Sequence, residues 1–306
     1  MFEWLTRNRQ RILQWVGTIL AFGLLVVLLE NEGWQEVTAA FGKVKPMDLF
    51  WVALLFLIAR LATVGRWYVL LRSGGIDMSI KDSMALTFTS LFASNFLPTT
   101  VGGDVVRLAG AMQMGFDRAV CLASIAADRL IGLLGMTMVA PVGLAYSWSI
   151  LQTSTLSSFL AFLKKPVEFL KRTLSVFGIW LKKPTSILVS LFFAWINMLC
   201  LFASIYILVG DLGSHVSFWM IGGLWSLTYF ITLIPISING YGVQELSFTF
   251  LMSNVAGLAP SVSLSVAVLI RAYFILSSLP GAFFLPNILS VMAEQKKVTS
   301  LPDAFR

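Results

Sequence analysis

Residues 187–209 read ILVSLFFAWINMLCLFASIYILV, twenty-three positions without one charged side chain. A helix needs about 20 such residues to cross a bilayer. In lipid every backbone N–H and C=O has to find its partner within the protein, so a spanning segment is an α-helix or a strand of a closed barrel. Barrel strands alternate apolar and polar residues, and this run is continuous. Comparable runs lie at about 12–29, 47–71, 119–148, 217–234 and 262–289. Charged residues make up 12% of the 306 positions, against about 25% in a soluble domain, too few to cover a soluble surface. The expected fold is an all-α polytopic integral membrane protein. It should have about 7–8 transmembrane segments, two of them broken or re-entrant helix hairpins.

The charges order the chain. "MFEWLTRNRQR" places Arg7, Arg9 and Arg11 before the first apolar run. That run is long for a signal core, and "ENEGWQEV" follows where a small-residue cleavage site would stand, so a retained helix with a cytoplasmic N-terminus is expected. The next loop, with Glu30, Glu32 and Glu36, reads as external. Stretch 150–186 is basic and aromatic, with Lys164, Lys165, Lys171, Arg172, Lys182 and Lys183 against Glu168, and with Phe162, Phe169, Phe177 and Trp180 interleaved. It reads as a positive-inside loop, as an amphipathic helix pair, or as a short span plus such a helix. One transmembrane domain over 1–306 is expected, with half 1 at about 12–148, the basic linker at 150–186 and half 2 at about 187–290. Segment 84–114 either crosses as a broken helix or re-enters while 150–163 crosses.

The net charge of +7 belongs to a cytoplasmic face that meets anionic lipid headgroups. No nucleic-acid motif accompanies it. Cys121 and Cys200 sit in apolar stretches without metal-ligand spacing and read as free thiols. His215, the single histidine, lies in the polar connection "GDLGSHVS" and reads as a loop residue. No metal site and no cofactor are expected.

Two interruptions carry the functional content. "PTTVGGDVVR" (98–107) and "PISINGYGVQE" (235–245) each run from proline through hydroxyl residues and a glycine pair to a charge at a new helix start. Pro98 and Pro235 end a half-helix. Gly102, Gly103, Gly240 and Gly242, with Asn239, shape the hairpins. Paired interruptions in corresponding halves point to a transporter built from two, here inverted, repeats. Backbone freed at membrane depth has to line protein or a watery cavity. Asp104 and Glu245 fall in first helical turns, where the dipole favours a negative charge. Asp104 and Arg107, three apart, can pair on one face; the pair either holds the hairpin or binds substrate. Asp128 and Arg129 point about 100° apart and need partners elsewhere, for which Arg60, Glu245 and Arg271 are the candidates. So many charges at membrane depth imply either a shared polar cavity or a structural ion-pair core. The candidate substrate-binding set is Asp104, Arg107, Asp128, Arg129, Glu245, Arg271 and Arg60.

"LPTTVGGDVVRL", "ASIAADRLIGL" and "IPISINGYGVQE", with "RLATVGRWYVLLRSGG", resemble the hallmark stretches of the lysylphosphatidylglycerol synthase transmembrane, or flippase-like, family. The resemblance runs from about residue 10 to 290. In relatives that make aminoacylated phosphatidylglycerol a separate soluble domain performs the transfer. With the chain ending at Arg306, the resemblance implies the translocating part alone, in a bacterial or archaeal cytoplasmic membrane. Motif by motif, it carries functional weight onto Asp104, Arg107, Asp128, Arg129 and Glu245.

Three functions follow as expectations. The first is translocation of a lipid with a polar or charged headgroup, without enzymatic activity; no GxxxxGK[ST] nucleotide site is present. The second is a membrane enzyme acting on a lipid-linked substrate, with Asp104 and Glu245 as acid and base. The third is a non-transporting envelope-assembly subunit. Lipid is the expected partner, and a homo-oligomer or an envelope-biosynthesis partner is left open.

Overall fold

The computed structural model describes residues 42–97, 102–148, 183–234 and 237–284, with isolated positions between 19 and 39. Most of the first expected span, the basic stretch up to Lys182, Pro98 to Val101, Pro235, Ile236 and the tail beyond 284 lie outside the described residues. What is described is helical. The helices are α1 (Pro46–Ser73), α2 (Ile80–Ser94), α3 (Gly102–Gln113), α4 (Arg118–Tyr146), α5 (Pro184–Asp211), α6 (Phe218–Thr232), α7 (Val243–Asn254) and α8 (Pro260–Ser278). Short 3₁₀ turns follow at Ile238–Gly240 and Leu279–Phe283.

Local chemistry sets these bounds. Proline occupies the first turn of α1, α5 and α8, where its missing N–H costs nothing and its fixed φ suits the helix. Ser79 and Asp117 cap α2 and α4 by accepting from the N–H groups of Asp82 and Val120. The last span is shorter as an α-helix than the 262–289 expected. Pro280 cannot donate to the ladder, and the chain tightens into the 3₁₀ turn after Ser278.

Among the described residues four helices are long and apolar enough to cross a membrane: α1, α4, α5, and α8 with its 3₁₀ extension. The others are too short alone. At 1.5 Å per residue a 15-residue helix spans about 22 Å and a 12-residue helix about 18 Å, against about 30 Å of hydrocarbon. The lengths recur in order: 28, 15, 12 and 29 residues for α1–α4, then 28, 15, 12 and 19 for α5–α8.

Each set of four builds a core. Trp67, Leu71, Leu86, Val106, Cys121 and Ile125 join α1 to α4. Phe202, Ile205, Trp225, Phe248 and Ile270 join α5 to α8. The long helices α1 and α5 pack along each other and link the two. Large apolar side chains remain exposed on the outer faces, among them Leu57, Leu61, Leu134, Met138, Leu188 and Phe192, as a lipid-facing surface requires.

The halves also come into close contact at α4 and α6. A Cβ added at Gly143 would stand 2.3 Å from the carbonyl oxygen of Gly223, and one at Gly223 would stand 2.4 Å from the nitrogen of Gly143. Two backbones touch, which membrane helices achieve with small residues. Gly143→Leu is therefore expected to force the helices apart and to destabilise the protein by at least the about 1–3 kcal/mol of an overpacked core. Gly210→Ala, with open space around its Cβ, should leave the thermal midpoint in detergent unchanged. A Gly143→Leu protein melting with the wild type would refute this contact.

Candidate functional site

The first break places its charges by a tight fit. Gly103 lies so near α2 that a Cβ there would meet the Ser90 carbonyl oxygen at 2.3 Å. That contact fixes Asp104, the next residue, in the first turn of α3. Asp104 accepts from Arg107 Nη2 at 2.7 Å and from Arg129 Nε. Asp128 accepts from Arg66 Nε at 2.6 Å, with Arg107 Nη1 at 3.5 Å. Arg107 also stacks over the Trp67 ring, 4.6 Å from its centre, a cation–π contact.

The result is a linear chain of alternating charge, Arg66–Asp128–Arg107–Asp104–Arg129, contributed by α1, α3 and α4. Asp104, Arg107 and Asp128 are buried, while the Arg129 side chain is 40% exposed. These five line one cavity of 240 Å³ together with Thr63, Ser90, Ser94, Asn197 and Tyr229. That is far more than the roughly 10–15 Å³ that admits one water. It is also below the about 300 Å³ at which pockets for drug-sized ligands begin. A headgroup fits and a whole lipid does not.

The second break is built alike and filled differently. Asn239, Gly240 and Gly242 take φ of 49°, 71° and 76°, the left-handed region that lets the chain turn straight into α7. Glu245 accepts from the Gly242 N–H at 2.8 Å and from Arg271 Nε. Arg271 Nη1 and Nη2 reach the carbonyls of Asn239 and Gly240 at 3.4 and 3.3 Å, and its guanidinium covers the Tyr241 ring. Here one arginine matches one glutamate and holds the turn. Asp104 and Arg129 are 25 residues apart, and Glu245 and Arg271 are 26.

The partners foreseen for Asp128 and Arg129 are corrected. Arg60, Glu245 and Arg271 do not reach them; Arg66, Arg107 and Asp104 do. Glu245 and Arg271 satisfy each other at the second break, outside the cavity wall. Arg60 donates to Ser277 Oγ at 2.9 Å and to the Phe274 carbonyl at 3.1 Å, under the Phe274 ring. It is taken up at the C-terminal end of α8. The two breaks do meet, at Asn95. Its Nδ2 donates to Ser278 Oγ at 2.8 Å, and its Oδ1 lies 3.4 Å from Asn239 Nδ2 and 3.5 Å from Tyr241 OH.

Arg66, Asn95, Asn197 and Tyr229 were not among the sequence candidates. Asn197 carried a signal, as an amide within an uncharged span; it donates to the Ala59 carbonyl and Thr63 Oγ1. His215 does lie in the α5–α6 connection, beside a hollow of 380 Å³ whose wall, among the described residues, carries no carboxylate or guanidinium. Cys121 and Cys200 are free. Among the described residues no three His, Cys, Asp or Glu side chains converge as metal ligands.

Long apolar helices around a charge-lined interior cavity define a polytopic helical membrane protein with a polar site at its core. The family model described as the lysylphosphatidylglycerol synthase TM region matches residues 14–163 and 152–281. The chain belongs to that family. No curated protein matches it.

Proposed function

We propose that the protein translocates a lipid with a polar or charged headgroup, acting as a transporter rather than an enzyme. Membership of the family ties the chain to membrane-lipid processes. The observation that carries the finer reading is the five-residue charge chain lining a headgroup-sized cavity. A headgroup moves through such a cavity while its tails stay in the hydrocarbon. The recurrent helix lengths and the matching first-turn carboxylates support two repeats whose breaks flank the path, the architecture on which alternating access rests. With no P-loop in the sequence, any drive comes from an ion gradient or a partner, or transfer is passive. The proposed setting is a bacterial or archaeal cytoplasmic membrane, with the N-terminus and the basic linker facing the cytoplasm and its anionic headgroups.

Purified protein in proteoliposomes, given a panel of headgroup-labelled lipids, tests this. One headgroup class is expected to cross, and Arg107→Ala and Asp104→Asn should each slow its transfer at least tenfold. Equal transfer by both variants would remove the charge chain from the mechanism. Chemical conversion of a supplied lipid, lost in Asp104→Asn, would replace transport by enzymatic activity.

A further inference from the structure

We propose that Asn197 of α5 and Tyr229 of α6 select the headgroup that enters the cavity, taking one that donates hydrogen bonds, through a hydroxyl or an ammonium N–H, over a fully methylated one. This rests on the translocation reading above and deepens it. The first ground is the orientation of one amide. Asn197 Nδ2 donates to the Ala59 carbonyl at 2.8 Å and to Thr63 Oγ1 at 2.9 Å. The Ala59 carbonyl can only accept, and the Thr63 hydroxyl already donates its proton to that same carbonyl at 3.0 Å. Two acceptors allow the amide one way round, with both N–H groups engaged and Oδ1 left as an acceptor. Oδ1 has no hydrogen-bond partner among the described residues, yet it keeps accessible surface, and Asn197 lines the cavity. The Tyr229 hydroxyl is in the same condition. It stands within electrostatic reach of Arg66, Asp104, Asp128 and Arg129, so it borders the charge chain.

The second ground is the internal repeat. Helices α1 and α5 both have 28 residues, and α2 and α6 both have 15. Counted from the first residue of each helix, Asn197 holds on α5 the place that Ala59 holds on α1. Tyr229 holds on α6 the place of Leu91 on α2. The first half builds both positions from apolar side chains. The repeat therefore packs without an amide or a phenol there, and the second half adds both groups at the wall of the cavity.

An acceptor open to a water-sized space is satisfied by water until a ligand displaces it. A headgroup with N–H or O–H groups replaces that bond, and a trimethylammonium group does not. A site built to hydrogen-bond its substrate rejects the analogue lacking the donor, because the site's own polar group is then left unpaired.

Binding is measured by calorimetry on the full chain in neutral detergent, so no transfer step enters. The probes are dihexanoyl phosphatidylethanolamine, its N-methyl and N,N-dimethyl derivatives, and dihexanoyl phosphatidylcholine. Net charge is constant along this series, and each methyl removes one N–H. Affinity is expected to fall along it, with phosphatidylcholine at least tenfold weaker than phosphatidylethanolamine. Asn197→Leu keeps the volume and removes the acceptor. It should weaken phosphatidylethanolamine at least tenfold and leave phosphatidylcholine unchanged, so the preference collapses. A merely structural amide would lower the thermal midpoint and leave the ratio of the two affinities alone. Tyr229→Phe removes one oxygen on which no described residue depends, so it tests the inference even where Asn197→Leu does not fold. It should narrow the same ratio several-fold. Equal affinity of the wild type for both lipids overturns the inference. A ratio unchanged in either folded variant overturns it for that residue, the methyl groups then being refused for their size. Glycerophosphoethanolamine, the headgroup without tails, binding as tightly as the lipid would assign the site to a soluble compound and overturn the lipid reading. Selective binding without transfer in proteoliposomes would instead sink translocation and leave the selection standing. Transfer of both lipids at one rate would sink the selection and leave translocation standing.

Discussion

Asp128→Ala is expected to destabilise the protein by about 3–5 kcal/mol, the loss that follows when one partner of a buried ion pair is removed. Asp128 is 3% exposed and is the carboxylate on which Arg66 ends. Without it Arg66 faces Arg107 across the cavity with no acidic partner among the described residues. Arg107 would keep Asp104, so the damage falls on α1 against α4, the contact that brings Arg66 into the first half. The change should appear as a sharply lowered thermal midpoint in detergent and a loss of monodisperse protein. The compensating experiment is Asp128→Leu with Arg66→Met. Replacing a whole buried pair by apolar side chains of similar volume is often neutral or stabilising, so the double variant should recover most of the midpoint. A single variant as stable as the wild type would show that the pair carries no structural weight.

The identity of Asp128's partner is the point at which reading the sequence stopped short. The spans at 47–71, 119–148, 187–209 and 217–234 fall within a few residues of α1, α4, α5 and α6, because apolar length and proline at the first turn are local signals. The pairing of Asp104 with Arg107 was legible for the same reason: three residues apart on one helix, they have to be neighbours. Asp128 depends instead on how α1 crosses α4. Arg60 and Arg66, six residues apart, point about 120° from each other around α1, and only the crossing decides which of them meets α4. Sequence reasoning favoured Arg60, nearer the middle of the span. The packing of α1 against α4 and α8 turns Arg66 to Asp128 and Arg60 to the end of α8. Tyr229 was illegible in a stronger sense: an aromatic in an apolar helix reads as core, and only the contact of α6 with α4 brings it to the cavity. The same contact explains why "IGG" at 221–223 gave no sign in advance. Its second glycine, Gly223, faces Gly143, far earlier in the chain.

Gly103→Ala should separate the placement of the charge chain from its composition. Every member of the chain is retained, yet the added methyl would stand 2.3 Å from the Ser90 carbonyl oxygen and 2.1 Å from Ser94 Oγ, where real Cβ atoms do not come within 3.0 Å. The start of α3 has to withdraw from α2 by the better part of an ångström. Asp104 is the next residue and goes with it, while Arg129 is held on α4. Misplacing a reacting group by about 1 Å costs on the order of 10²-fold in enzymes. A headgroup site built from the same kind of directed contacts should lose ten- to a hundredfold in transfer. The stability loss should be smaller, about 1–3 kcal/mol as for other overpacked positions. Adding Ser94→Ala removes the hydroxyl from the collision and leaves the carbonyl of Ser90 where it was, so the double variant should remain defective. Restored transfer in that double variant would mean that the hydroxyl alone was in the way. The backbone contact between α2 and α3 would then not be what sets Asp104 in the cavity.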